Sequence, residues 1–289
     1  MRAAGDSELK IYGIFGYPLG HTVSPAIQNC AFDDYKLKSI YFAFERPPAR
    51  FRFLMRNLKS LLLDGFNVTV PFKETVIPYL DKLSPEASAI GAVNTVKKEK
   101  NRWIGYNTDI DGFLAVLRNA HFKPVGKSVL ILGAGGSARA VAYALAKNGT
   151  RKIFIANRTK SRAQSLANKF RKVFPKVEWI VCDLKGKIFE ATLSEVEVII
   201  NSTKVGLKKK DRSLIAKKLF PKRKILVCDL IYKPRRTELL RMADQLGHKT
   251  VNGETMLLHQ GAKAFEIWTG KRAPVHKMKE VLQDVLRFH

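Results

Sequence analysis

The stretch "KSVLILGAGGSARAVAYALAKNG", Lys127–Gly149, decides the fold. Ser128–Leu132 is a short run of mostly apolar residues with no polar alternation, which suits a strand covered on both faces. Gly133-Ala134-Gly135-Gly136-Ser137-Ala138 then fits the pattern GxGxxA. Gly133 would make the tight turn, Gly135 would let the backbone approach a pyrophosphate, and Ala138 would let helix and strand pack closely. A helix of Ala, Val and Leu follows and stops near Gly149, so its first N–H groups and its dipole could receive an anion.

The next strand, "KIFIAN" (152–157), chooses the cofactor. A site for NAD usually has Asp or Glu at the end of this strand to hold the ribose 2′-hydroxyl. This chain has Asn157-Arg158-Thr159, with Arg162 one turn further on. Guanidinium groups and a hydroxyl match a 2′-phosphate, so NADP is the expected cofactor. Further strands at 177–182, 196–200 and 225–229 continue the alternation, which predicts a doubly wound Rossmann domain over residues 110–252.

Residues 1–109 read as a separate α/β domain with a parallel-rich sheet. "KIYGIFG" (10–16), a helix from Ser24, "IYFAFE" (40–45), a helix over 50–63 and "NVTVPFK" (67–73) alternate as strand, helix, strand, helix and strand. A short helix, a strand at 92–97 and another toward Tyr106 complete it. Asn67–Val70 should be strand and Pro71 should end it, because proline has no N–H for a central ladder. Lys73 then sits just past a strand end on a rigid scaffold. The helix of "NGETMLLHQGAKAFEIWTGKRAP" (252–274) is expected to return to this domain, so that residues 253–289 belong with 1–109. Met256, Leu257, Gln260, Ala264 and Ile267 recur at helical spacing and predict one packed stripe.

The chain has 289 residues, 46% of them hydrophobic, enough for two domains with their own cores. No run approaches a membrane span, the N-terminus lacks a signal-peptide pattern, and the cytoplasm is the expected location. Cys30, Cys182 and Cys228 are read as reduced thiols, and no His, Asp or Glu set has metal-ligand spacing. Fifty-two Lys and Arg against 25 Asp and Glu give a net charge of +27. Without a nucleic-acid signature, that charge reads as a solvated surface that would draw in anionic ligands.

Lys73 and Asp109 form a candidate acid–base pair at strand ends. Thr22, Ser24, Thr69, Asn94 and Asn107 supply short polar groups at other strand ends and turns, as a polyhydroxylated, sugar-like acid would require. His21 reads as a turn or packing residue. His259 stands about 100° around its helix from Gln260, so neither histidine is placed in the site.

Nine ordered blocks carry a resemblance: "FGYPLGHTVSP", "NVTVPFKE", "GAVNT", "GYNTDIDG", "LGAGGSARA", "NRTKSRA", "NSTKVG", "DLIYKPRRTELL" and "GETMLLHQGAKAFEIWTG". In order and spacing they resemble shikimate dehydrogenases, NADP-dependent enzymes of aromatic amino-acid biosynthesis, over about residues 11–270. The resemblance implies reversible reduction of 3-dehydroshikimate to shikimate in a cleft between the two domains, with Lys73 and Asp109 as the catalytic pair. It implies that Thr22 and Ser24 hold the substrate carboxylate with Tyr232 near it, and that Thr69, Asn94 and Gln260 hold the ring hydroxyls. The cofactor would be carried by Gly133, Ala134, Gly135, Gly136, Ser137, Asn157, Arg158, Thr159, Arg162, Thr203 and Lys204, with Gly253 near the nicotinamide.

Two positions depart from the family's usual pattern. Thr22 stands where Ser is usual, which bears on discrimination against the bulkier quinate. Lys204 stands where a small residue is usual, which suggests an extra phosphate contact. The enzymatic alternative is a quinate/shikimate dehydrogenase of relaxed choice, and the remote one is a non-catalytic Rossmann-like protein binding an anionic partner. A monomer and a homodimer both fit the sequence.

Overall fold

The computed structural model describes residues 8–20, 22–208 and 210–288, so the reading of His21 lies outside the described residues. The chain forms two compact units, Met1–Thr108 with Leu258–His289, and Asp109–Leu257. In chain order the first part contains β1 (Lys10–Gly16), α1 (Ser24–Asp34), β2 (Ser39–Glu45), α2 (Pro48–Arg56), β3 (Gly65–Val68), β4 (Lys82–Leu83), α3 (Pro85–Ile90), β5 (Thr95–Glu99) and β6 (Arg102–Tyr106). The middle part contains α4 (Asp109–Asn119), β7 (Ser128–Leu132), α5 (Gly136–Lys147), β8 (Lys152–Ala156), α6 (Lys160–Val173), β9 (Glu178–Cys182), α7 (Lys187–Glu195), β10 (Val198–Asn201), β11 (Leu226–Asp229), α8 (Glu238–Gln245) and β12 (Lys249–Val251). The chain ends with α9 (Glu254–Thr269) and α10 (Val275–Phe288), and none of the helices described is long and apolar enough to cross a membrane.

The first sheet runs β2-β1-β3-β5-β6-β4. β1 is parallel to β2 and β3, but β5 is antiparallel to both β3 and β6, so the alternating rhythm persists for only three strands. For the pair β5 and β6 the reason is local. β5 and β6 are separated by Lys100 and Asn101, both at positive φ, and a hairpin that tight can only join antiparallel neighbours.

Aromatic packing fills one side of this sheet. Phe15, Phe51, Phe66, Phe72 and Trp103 are nearly or fully buried together, and the rings of Phe51 and Phe72 stack at 3.8 Å. Burial of each such side chain contributes about 1.5–3 kcal/mol. On α9 the fully covered positions are Met256, Leu258, Ala262, Ala264, Phe265 and Trp268, whereas Leu257, Gln260 and Ile267 are half-buried. The packed stripe is thus rotated from the expected one, because Trp268 donates its indole N–H to Val96 O at 2.9 Å and turns that face inward.

β3 ends at Val68, two residues before the expected strand end. Phe72 N–H bonds to Thr69 O at 2.7 Å, so the chain is already turning, and Val70 lies exposed.

The second sheet, β12-β11-β10-β7-β8-β9, is parallel throughout. Its order reverses between β7 and β10, the topological switch point at which doubly wound sheets bind ligands beyond their carboxyl ends. Leu130, Leu132, Phe154, Ile199 and Val227 point to one face, where Phe189 and Leu193 of α7 and Leu239, Leu240 and Ala243 of α8 cover them. The alternate residues Val129, Ile131, Ile153, Ile155, Val198 and Ile200 are also fully buried, so both faces are covered.

Candidate active site

In the first unit, the turn after β3 is pinned from two sides. Thr69 N–H bonds to Phe15 O at 2.9 Å, Tyr17 N–H to Val70 O at 3.0 Å, and Val93 N–H to Lys73 O at 2.7 Å. The backbone of Lys73 is therefore held by the ends of β1 and by the segment before β5, and its side chain is half-buried. Thr22 precedes α1 and Ser24 begins it, with Ser24 N–H toward Thr22 Oγ1 at 3.4 Å. Ser24 is buried and Thr22 is half-buried.

Asn94, 3% exposed, sits in a chain of ordered polar groups. Tyr41 donates its hydroxyl to Asn67 Oδ1 at 2.6 Å, and Asn67 Nδ2 donates to Asn94 O and Thr95 Oγ1, both at 3.0 Å. Thr95 Oγ1 donates to Asn94 Oδ1 at 3.0 Å, and Thr108 N–H donates to the same oxygen at 2.8 Å. Asn94 Nδ2 then donates to Thr108 Oγ1 at 3.0 Å and toward Gln260 Oε1 at 3.4 Å. The direction of every bond follows from which atoms carry hydrogens, so the amide planes of Asn67 and Asn94 are fixed. The network thus brings together Asn94 and Gln260, two of the expected substrate residues. Tyr41, Asn67, Thr95 and Thr108 were not singled out from sequence, although Asn67, Thr95 and Thr108 lie inside the blocks quoted above. Burial pushes the Tyr41 phenol well above its usual range, so it stays a donor at neutral pH.

In the second unit, Asp109 opens α4 and is 4% exposed. With Asp111 it places negative charge at the helix N-terminus, the end that favours it.

The glycine turn lies at the switch point. Gly133 has φ of +113°, its N–H bonds to Ala156 O at 2.8 Å, and a Cβ there would come within 2.6 Å of Ser202 Oγ. Ser202 in turn donates both its N–H and its hydroxyl to Leu132 O, at 2.9 and 2.7 Å. Gly135 differs: a Cβ there would meet no protein atom within 4 Å. The backbone beside the start of α5 is thus open, as a pyrophosphate cradle must be, and Gly136 and Ser137 follow as the first residues of that helix.

Arg158, Thr159 and Arg162 are exposed, and Asn157 Nδ2 bonds to Thr159 O at 2.8 Å to shape the turn. Among the described residues no carboxylate pairs with either guanidinium, and Lys160 takes Asp183 instead. The residues present therefore fit a cofactor with an anionic 2′-substituent.

Beyond β10, Thr203 donates its N–H and its hydroxyl to Asn201 Oδ1 at 3.0 and 2.7 Å, and Lys204 is exposed. Tyr232 is half-buried, and burial raises its phenol. Gly253 N–H bonds to Ile231 O at 3.0 Å, and a Cβ on Gly253 would lie 2.1 Å from Leu230 O, so only glycine fits this approach.

Three family models match the chain: the shikimate dehydrogenase substrate binding domain over residues 14–96, shikimate / quinate 5-dehydrogenase over 117–241, and the shikimate 5′-dehydrogenase C-terminal domain over 253–283. A shikimate dehydrogenase (NADP(+)) of Methanopyrus kandleri is 41% identical over 285 residues, covering 98% of each chain. A crystal structure of shikimate dehydrogenase from Aquifex aeolicus is 41% identical with a TM-score of 0.86, over 96% of this chain and 99% of that one. The Thermus thermophilus shikimate 5-dehydrogenase, solved with NADP(H) and shikimate, is 35% identical with a TM-score of 0.84, over 96% of this chain and all of that one.

Proposed function

The chain belongs to the shikimate dehydrogenase family, and on that premise we propose that it interconverts 3-dehydroshikimate and shikimate with NADP in aromatic amino-acid biosynthesis. It is an oxidoreductase acting on a CH–OH group with NADP as cofactor. The cofactor supplies or accepts the hydride when bound, and the chain's own residues do the rest. We assign Lys73 as the group that gives a proton to the substrate oxygen in the reducing direction. Asp109 is assigned as its partner carboxylate, orienting the reacting hydroxyl. A proton donor whose backbone is held at both ends needs little reorganisation when charge develops on the oxygen.

Asn94, Thr69 and Gln260 are assigned to the ring hydroxyls, and Thr22, Ser24 and Tyr232 to the carboxylate. The ordered donors behind Asn94 favour this, because a wrong substrate would leave a fixed amide unpaired. The open backbone at Gly135 is assigned to the pyrophosphate, and Arg158 and Arg162 to the 2′-phosphate. Thr203 and Lys204 are assigned to the cofactor, Gly253 to the face beside its nicotinamide, and the cytoplasm to the whole chain. The observation that carries the reading is the switch-point turn with an open Gly135 beside unpaired arginines.

The test is a comparison of initial rates with shikimate or quinate, each with NADP or NAD. The proposal expects the pair shikimate and NADP to dominate. Equal rates with quinate would transfer the assignment to a quinate/shikimate dehydrogenase and point to the methyl of Thr22. No turnover with any pair would remove it.

A further inference from the structure

Asp229, the last residue of β11, is fully buried, and among the described residues no lysine, arginine or histidine forms an ion pair with it. Its carboxylate meets one donor from the end of β10 and two from the loop after β11 instead. Oδ1 accepts from Asn201 Nδ2 at 3.0 Å and from Ile231 N–H at 3.1 Å, and Oδ2 accepts from Thr237 Oγ1 at 2.7 Å. Asn201 also bonds outward to its own loop, donating Nδ2 to Val205 O at 3.0 Å while its Oδ1 receives both donors of Thr203. On the other side, Leu230 N–H bonds to Asn201 O at 2.9 Å and Gly253 N–H to Ile231 O at 3.0 Å.

We infer that Asp229 is a positioning residue that locks the loop 201–206 and the loop 230–237 into a single arrangement. The first loop carries Thr203 and Lys204, the second carries Tyr232 and leans on Gly253. Three donors converge on one acceptor-only group, and none of the three is a charge that would move with salt. A buried polar group with every partner in place rigidifies its surroundings, and removal of its acceptor leaves several donors unpaired at once. Burial itself raises the Asp229 carboxyl, and the three hydrogen bonds work against that rise. A neutral acceptor of the same shape should therefore do the positioning as well. Asn in its place keeps Oδ1 for Asn201 and Ile231, and can turn its amide N–H toward Thr237 Oγ1.

The inference rests on the cofactor reading only for its consequence in binding, so its test has two independent readouts. The first is amide hydrogen exchange of the chain without cofactor, for wild type, Asp229→Ala, Asp229→Asn and Thr237→Val. Asp229→Ala should speed exchange about tenfold in both loops together, Thr237→Val should do so less, and Asp229→Asn should return both loops toward wild type. The second is the Kd for NADP, expected about tenfold weaker in Asp229→Ala and restored in Asp229→Asn. Acceleration confined to 230–237 would overturn the coupling. Asp229→Asn behaving like Asp229→Ala would overturn positioning by shape in favour of charge. A lowered Tm in Asp229→Ala with wild-type loop exchange and Kd would reduce the residue to a stability role. If wild type itself fails to bind NADP, the cofactor reading falls, and the exchange data still decide the coupling.

Discussion

Removing one hydroxyl from Tyr41 gives a quantitative test of the network behind Asn94. Tyr41 is 1% exposed and its hydroxyl reaches Asn67 Oδ1 at 2.6 Å, so Tyr41→Phe leaves a buried acceptor that water cannot reach. An orphaned buried partner costs about 1–3 kcal/mol. Spread over the roughly 140 residues of the first unit, that is a Tm loss of about 2–4 °C per kcal/mol, as for domains of this size. The functional consequence follows from bond direction. Asn67 keeps its orientation, because a flip would set Oδ1 against Asn94 O, but with Oδ1 unheld its amide can twist and its Nδ2 bonds to Asn94 O and Thr95 Oγ1 loosen. KM for shikimate should rise, by up to about tenfold, while KM for NADP stays near wild type. Guanidinium denaturation and steady-state kinetics on the same preparations supply both numbers. A double-mutant cycle with Asn67→Val isolates the pair and should give a coupling of about 0.5–3 kcal/mol. A stability loss under about 0.5 kcal/mol with an unchanged shikimate KM would refute the reasoning.

Other perturbations follow from the same geometry. Gly133→Ala and Gly135→Ala should separate folding from binding: the first meets Ser202 at positive φ and lowers Tm, whereas the second clashes with no protein atom, keeps Tm and weakens NADP at least about tenfold. Equal NADP affinity in Gly135→Ala would remove the pyrophosphate assignment. His248 is 5% exposed and stacked on Phe220, and burial and then Lys224 hold its pKa below the usual 6.5. Below about pH 6.5 the unfolded chain takes up a proton that the folded chain resists, so stability falls with pH there. Thermal melts between pH 7.5 and 5.5 should show a smaller loss in His248→Gln than in wild type. Cys182 and Cys228 are buried, with thiols pushed up to about 11 and about 12, so a thiol reagent added to native protein should label Cys30 first. Simultaneous labelling of all three, read by mass spectrometry, would contradict the packing.

Much of this structure is legible in one chain because its strongest signals are local. The glycine turn follows a strand and opens a helix within 23 residues, and that order alone implies a parallel sheet with a switch point. The mixed first sheet was less visible, since whether β5 runs with or against β3 depends on how the chain returns over residues 69–94, a path with no local signal for direction. The face of α9 misled for a related reason. Apolar residues cover more than half of its circumference, so helical spacing admits more than one stripe, and the choice is made by the Trp268 bond to Val96 across the fold. Lys73, Asp109 and the arginines announce themselves by residue type. The residues that hold the site in place, Tyr41, Asn67 and Asp229, read as ordinary strand members until their partners, most of them 8 to 28 residues away, are seen.

We propose that the turn after β3 serves to aim the Lys73 ammonium. The most direct measurement is kcat together with the shikimate Kd in Lys73→Ala, determined on the NADP complex. A fall in kcat of at least about 100-fold is expected with a Kd within a few-fold of wild type, the signature of a proton-transfer group acting on the reaction and not on ground-state binding. Near-normal kcat with a lost Kd would make Lys73 a substrate anchor and not the proton donor.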